Sequence, residues 1–159
     1  MKQFADKLSQ VGKTASEQGI ISILKGEIED FHLQAQEHDV ELCTQIEAPC
    51  TVKSTEDDLY QILYNLTENA IKYNRSGGFV RITLRRLTEQ VVLAVEDNGI
   101  GIPEEDLGKV FDRFYRVDKA RSRAAGGTGL GLSIVHDTAL RYDGTVTAAR
   151  REGGGTVFT

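Results

Sequence analysis

The chain has 159 residues, 40% hydrophobic and 27% charged, with a formal net charge of -5. That length suffices for one domain whose core needs neither disulfides nor a structural metal. The acidic balance disfavours general binding to nucleic acid or a membrane surface, since neither polyanion attracts such a protein without a concentrated basic patch, and no apolar run approaches a transmembrane length of ~18 residues.

Phe4, Leu8 and Val11 make a short helical stripe that ends at Gly12, and a polar stretch follows. Residues 1–18 therefore read as the end of a helix plus a linker, with no signal-peptide core. Residues 20–23 suggest a short strand, and Leu24, Ile28, Phe31 and Ala35 then predict a helix over 24–37. Val40, Leu42, Thr44 and Ile46 alternate with Glu41, Cys43 and Gln45, as in a half-buried strand closed by Pro49. The two cysteines, Cys43 and Cys50, have no histidine partner nearby and read as structural thiols of a reducing compartment.

Ser54 or Thr55 offers an N-cap for a helix whose apolar face is Leu59, Ile62, Leu63, Leu66 and Ala70, running to about residue 73. Asn65, Asn69, Lys72 and Tyr73 recur at i, i+4, i+7 and i+8 and share another face. After a turn over 74–78, Val80, Ile82 and Leu84 alternate with Arg81, Thr83 and Arg85. A connection over 87–90 leads to a strand at 91–95, which predicts an antiparallel hairpin.

That strand runs into Asp97-Asn98-Gly99-Ile100-Gly101, a carboxylate beside glycines that permit positive φ and close approach. Pro103 opens a short helical segment over 104–111 with acidic residues in its first turn. Arg113, Arg116, Lys119, Arg121 and Arg123 form a local basic patch. The Gly-rich turn from Gly126 to Gly131 opens a helix through Val135, Ala139 and Leu140, ended by Asp143-Gly144. Strands over 145–149 and 156–159 are joined through 152–155. This order predicts an α+β fold, a two-layer sandwich with helices on one face of a mixed, mostly antiparallel sheet.

Together these features supply what a purine nucleoside triphosphate and a divalent cation require. A carboxylate accepts from the exocyclic amine of adenine, and an aromatic ring covers the base. Amide oxygens suit Mg²⁺, and glycine N–H groups at a helix N-terminus, with lysine or arginine, suit phosphate. Walker A fails because Leu132 stands where its lysine belongs, and the Gly127-x-Gly129-x-Gly131 spacing is not a dinucleotide fingerprint.

The chain resembles the ATP-binding catalytic domain of sensor histidine kinases, a Bergerat fold shared with gyrase, heat-shock chaperone and mismatch-repair ATPases. Asn65-Leu66-Thr67-Glu68-Asn69-Ala70-Ile71-Lys72-Tyr73 is similar to that family's N box, and Asp97 to Pro103 to its G1 box. Val110-Phe111-Asp112-Arg113-Phe114-Tyr115-Arg116 is similar to its F box, and Gly127 to Leu132 to its G2 box. The likeness runs from about residue 20 to the C-terminus. It implies that Asn69 binds Mg²⁺ with support from Asn65, that Lys72 contacts phosphate and Tyr73 packs on the base, and that Asp97 reads the adenine amino group.

It further implies that Gly99 and Gly101 give the nucleotide room, and that Arg116 and Arg121 approach the terminal phosphate. Gly127, Thr128, Gly129, Leu130 and Gly131 would shape the closing turn. Residues 19–159 would be the ATP-binding domain. Asn65 replaces the glutamate that activates water in the gyrase-like relatives and cannot act as a base, which favours transfer over hydrolysis.

The family's phosphoacceptor signature is absent, and His32, His38 and His136 read as surface or packing residues. The acceptor histidine is then expected on a dimerisation domain of the same kinase, in a homodimeric parent anchored in a membrane. This domain itself would be cytoplasmic and touch neither membrane nor nucleic acid, with a response regulator downstream. A non-catalytic nucleotide-binding module and an anti-sigma type serine kinase are the alternatives.

Overall fold

A computed structural model describes residues 16–47, 51–118 and 129–159. Of the helix end and linker expected over residues 1–18, residues 1–15 lie outside the described residues, as do Pro49 and Cys50. The first described element is a strand, β1 (Ser16–Gly19), paired antiparallel with β3 (Thr51–Ser54) so that Ser16 faces Ser54 and Gly19 faces Thr51. The expected strand over 20–23 is not formed, because α1 (Ile20–Glu37) already begins there. Ile23 and Leu24 are buried, extending the helical stripe of Phe31 and Ala35 backwards.

β2 (Val40–Ile46), β4 (Gly78–Arg86), β5 (Val91–Asp97), β7 (Thr156–Phe158) and β6 (Ala148–Arg150) form a five-stranded sheet in that spatial order. Its β2–β4 pair is parallel and the other three pairs are antiparallel. Alternation along β4 sends Val80, Ile82 and Leu84 to one face, and the register sets Ile82 beside Val95 and Val95 beside Phe158. These residues meet Leu24 and Phe31 of α1, Leu63, Leu66 and Ile71 of α2 (Glu56–Lys72), and Val135 of α3 (Gly131–Arg141) in one core. Truncating a fully buried member such as Leu84 costs about 2–5 kcal/mol.

α2 starts at the N-cap Thr55, whose Oγ1 accepts from the Asp58 amide at 3.1 Å, and acidic residues fill its first turn. Its N-terminus is tied to the C-terminus of α3. Asp58 accepts from the Tyr142 hydroxyl and pairs with Arg141 at 3.2 Å, while the Thr55 amide donates to Tyr142. The segment 104–111 is not the expected helix. A 3₁₀ turn, Glu104–Asp106, gives way to successive turns around Gly108, in which the amides of Lys109 and Val110 donate to Asp106. Val110 is buried and Phe111 packs against Phe158 at 6.2 Å. Seating both residues from one short irregular span outweighs continuing an acidic, exposed helix.

Candidate functional site

α2 positions both ends of the site. Asn65 donates through Nδ2 to the Gln61 carbonyl at 2.8 Å, which leaves Oδ1 facing the start of α3, where a Cβ on Gly131 would lie 3.0 Å from it. Tyr73 is the C-cap of α2, and its carbonyl accepts from the Ile100 amide at 3.1 Å. Residues 65 and 73 are two helical turns apart, ~12 Å along the axis. The N-terminus of α3 and the acidic turn after β5 are thereby fastened to one helix at a separation on the scale of an extended nucleoside triphosphate.

Asp97 ends β5 on the face that looks toward the helices, and it is only 6% exposed. Burial pushes its carboxyl up from 3.8 to about 6, while hydrogen bonds from the Gly99 and Thr156 backbones and the charge of Arg151 pull the other way. The Gly99 amide donates to Oδ1 at 2.9 Å. Above pH 6 the group is thus an ionised acceptor held in a dry, fixed position, as recognition of an exocyclic amine requires.

The surrounding backbone is interlocked. A Cβ on Gly99 would lie 2.4 Å from the Tyr73 carbonyl, so the close approach Gly99 permits here is to the protein's own helix end. Gly101 has φ of +73° and lies against Gly155, which itself has φ of +102° and would thrust a Cβ to 2.0 Å from the Asp97 carbonyl. Asn98 Oδ1 accepts from the Phe79 amide at 2.7 Å, and Asn74 Nδ2 donates to the Phe79 carbonyl at 2.9 Å. Two side-chain amides from separate turns therefore clasp the first residues of β4. Asn74, Asn98, Gly155 and Thr156 were not singled out from sequence, where each reads as turn or strand material.

At the other end, Gly131 opens α3 with no side-chain cap at Leu130 among the described residues, an arrangement that suits an anion at the first-turn amides. Gly129 has φ of +77°, its carbonyl accepts from the Phe114 amide at 2.8 Å, and a Cβ there would strike Phe114 Cα. Phe114 adopts φ of +63° and is 69% exposed. Arg116 is half-buried just beyond it, while Arg121, Gly127 and Thr128 lie outside the described residues. Lys72 is the last residue of α2 and Asn69 stands one turn before Tyr73, both half-buried.

Asn65 and Asn69 contribute neutral amide oxygens, and the Gln61 bond turns that of Asn65 outward. This donor set fits Mg²⁺, which takes oxygen ligands and keeps several from water and phosphate. Glu68 belongs to a different face. With burial and Glu27, it pushes the Tyr64 hydroxyl upward, and Tyr64 packs on Phe31 of α1 at 5.2 Å. His32 bonds Gln36 and His38 bonds a helix carbonyl on the exposed surface, and His136 stacks on Phe111.

A helix-on-sheet ATP site with these four segments in order defines a family, and the chain belongs to it: residues 54–159 match the histidine kinase-, DNA gyrase B-, and HSP90-like ATPases. It is 41% identical over 138 residues to the sensor-like histidine kinase SenX3 of Mycobacterium tuberculosis, covering 87% of this chain and 34% of SenX3. It is 42% identical over 135 residues to the sensor histidine kinase WalK of Bacillus subtilis, covering 83% of this chain and 22% of WalK. The chain thus spans about a third or less of these curated relatives. Among solved structures, the nucleotide-free catalytic domain of histidine kinase ThkA superposes with a TM-score of 0.81 at 26% identity, over 92% of this chain and 93% of that one. The fold is that of histidine kinase catalytic domains. No helix among the described residues is long and apolar enough to cross a membrane.

Proposed function

We propose that this chain is the catalytic domain of a sensor histidine kinase and transfers the γ-phosphoryl group of ATP to a histidine carried on a dimerisation domain outside this segment. The observation that carries the reading is Asn65. It occupies the face toward α3, one turn before Asn69, where a hydrolase of this family needs a carboxylate, and the neighbouring Glu68 points about a hundred degrees away around the helix.

Asp97 accepts from the adenine amine, and Tyr73 lies beside the base. Lys72, Arg116 and Arg121, with the amides of the turn from Gly127 to Gly131, hold phosphate. Gly99 and Gly101 shape the wall beside Asp97. Asn69, supported by Asn65, would hold Mg²⁺, which supplies neutralisation of phosphate charge. The histidine nitrogen attacks the γ-phosphorus, the bond to the β-bridging oxygen breaks, and ADP leaves. The imidazole proton passes to solvent. Such a transfer needs positioning and charge stabilisation rather than a general base on the domain.

In this reading the domain is cytoplasmic, the parent is a membrane-anchored homodimer, and a response regulator receives the phosphoryl group. ThkA, which shares the fold, has been solved in complex with a response regulator. The test is to add the domain, Mg²⁺ and labelled ATP to a separately made acceptor domain. Acid-labile label on the acceptor is expected, and its loss in Asn69→Ala ties transfer to the site. Free phosphate released without labelled acceptor, or acid-stable label, defeats the proposal.

A further inference from the structure

The face of the sheet away from the helices holds a compact charged cluster. Arg151 Nε donates to Glu96 Oε1 at 2.5 Å, and its guanidinium lies 4.9 Å over the Phe79 ring. Arg81 covers the same ring at 5.0 Å and reaches Glu96 Oε2 at 3.3 Å. Arg151 Nη1 also donates to the carbonyls of Glu152 at 3.1 Å and Gly154 at 3.3 Å, and its own amide bonds the Gly155 carbonyl at 3.0 Å. One guanidinium thus joins an anion, an aromatic ring and the turn between β6 and β7.

That turn needs an external brace. Gly153, Gly154 and Gly155 all have positive φ and no side chains with which to hold their shape, and glycine loses more freedom on ordering than any other residue. Yet Gly155 must press on the Asp97 carbonyl, and Thr156 must keep its backbone bond to the Asp97 carboxylate. Glu96 and Asp97 are adjacent on β5 and project to opposite faces. The cluster therefore sits back to back with the base-reading carboxylate.

We propose that Arg151 is a positioning residue of the nucleotide site, holding the 152–155 turn against Asp97 from the opposite face of the sheet. The inference rests on the reading that Asp97 binds the base. Two charged groups act on Asp97 across the sheet. Arg151 favours its ionised form and Glu96 opposes it.

The experiment follows the affinity of a fluorescent ATP analogue with Mg²⁺ from pH 5 to 8 in wild type, Arg151→Ala, Arg151→Lys and Glu96→Gln, with circular dichroism confirming each fold. Arg151→Ala is expected to weaken binding about tenfold at pH 8, for the loss of charge-assisted hydrogen bonds, and to move the acid-side loss of affinity to higher pH. Glu96→Gln moves that loss to lower pH. Arg151→Lys restores the wild-type pH midpoint but only part of the affinity.

A merely structural role would shift both Arg151→Ala and Glu96→Gln in the same direction, and that result overturns the proposal. So does a folded Arg151→Ala that binds like wild type. If Arg151→Ala fails to fold, the Glu96→Gln and Arg151→Lys profiles decide alone. Wild type that binds no adenine nucleotide overturns the base-site reading itself, a failure distinct from the others.

Discussion

The two ends of the site are built differently. Around Asp97, the end of α2, the turn after β5, the start of β4 and the β6–β7 turn interlock through backbone contacts and two asparagine side chains, so the group we propose as the base reader is fixed before any ligand arrives. Around Gly131, the junctions among the described residues include Gly131 on Asn65, Phe114 on Gly129 and the exposed Arg113–Asp137 pair. Prepaid order at the base end lowers the cost of binding there. The proposed phosphate end has no side-chain cap on α3 among the described residues, which suits a ligand that satisfies the first-turn amides itself.

The sharpest way to break this contrast is Gly155→Ala. The substitution forces a side chain into positive φ and onto the Asp97 carbonyl, so it should cost about 3 kcal/mol of stability and abolish adenine-nucleotide binding, as read by thermal melts and calorimetry. Next comes Asp97→Asn. Because the folded carboxyl holds its proton up to about pH 6 rather than 3.8, its favourable contribution is complete below pH 4 and lost as pH rises through 6. Removing the ionised group should therefore stabilise the domain by up to about 3 kcal/mol at pH 7.5 and hardly at all at pH 4. Urea titrations at the two pH values check this, and AMP and ATP affinities should fall together.

Asn98→Ala frees the half-buried Phe79 amide and should cost about 1–2 kcal/mol, again weakening AMP and ATP alike. Gly131→Ala sits at the smallest end. The nearest atom is the tip of the Asn65 side chain, so the melting temperature should move little and ATP affinity should drop by about threefold with AMP unaffected. A fall in AMP binding there would erase the distinction between the two ends.

Elements with many periodic positions were legible from sequence, including α2, the β4–β5 hairpin and the helix after the Gly-rich turn, because burial imposes one period over several turns or pleats. β1 and β3 were not, since four residues are too few to show alternation and their pairing spans the whole of α1 and β2. The false helix at 104–111 had favourable first-turn charges, but those favour any helical start, including a single 3₁₀ turn. Asp97 and the asparagines of α2 stood out because their chemistry and spacing are local. Asn98, Gly155 and Arg151 did not, because each acts only once distant segments have met, and Asn74, which bonds Phe79 only five residues ahead, reads as ordinary turn material.

The clasp on Phe79 also makes the molecule self-reporting. Its amide hydrogen is held by Asn98 rather than by a neighbouring strand, so exchange with solvent deuterium at that one position requires the base end to open. A ligand that closes the site around Asp97 will slow that exchange, and one that engages only phosphate groups will leave it unchanged.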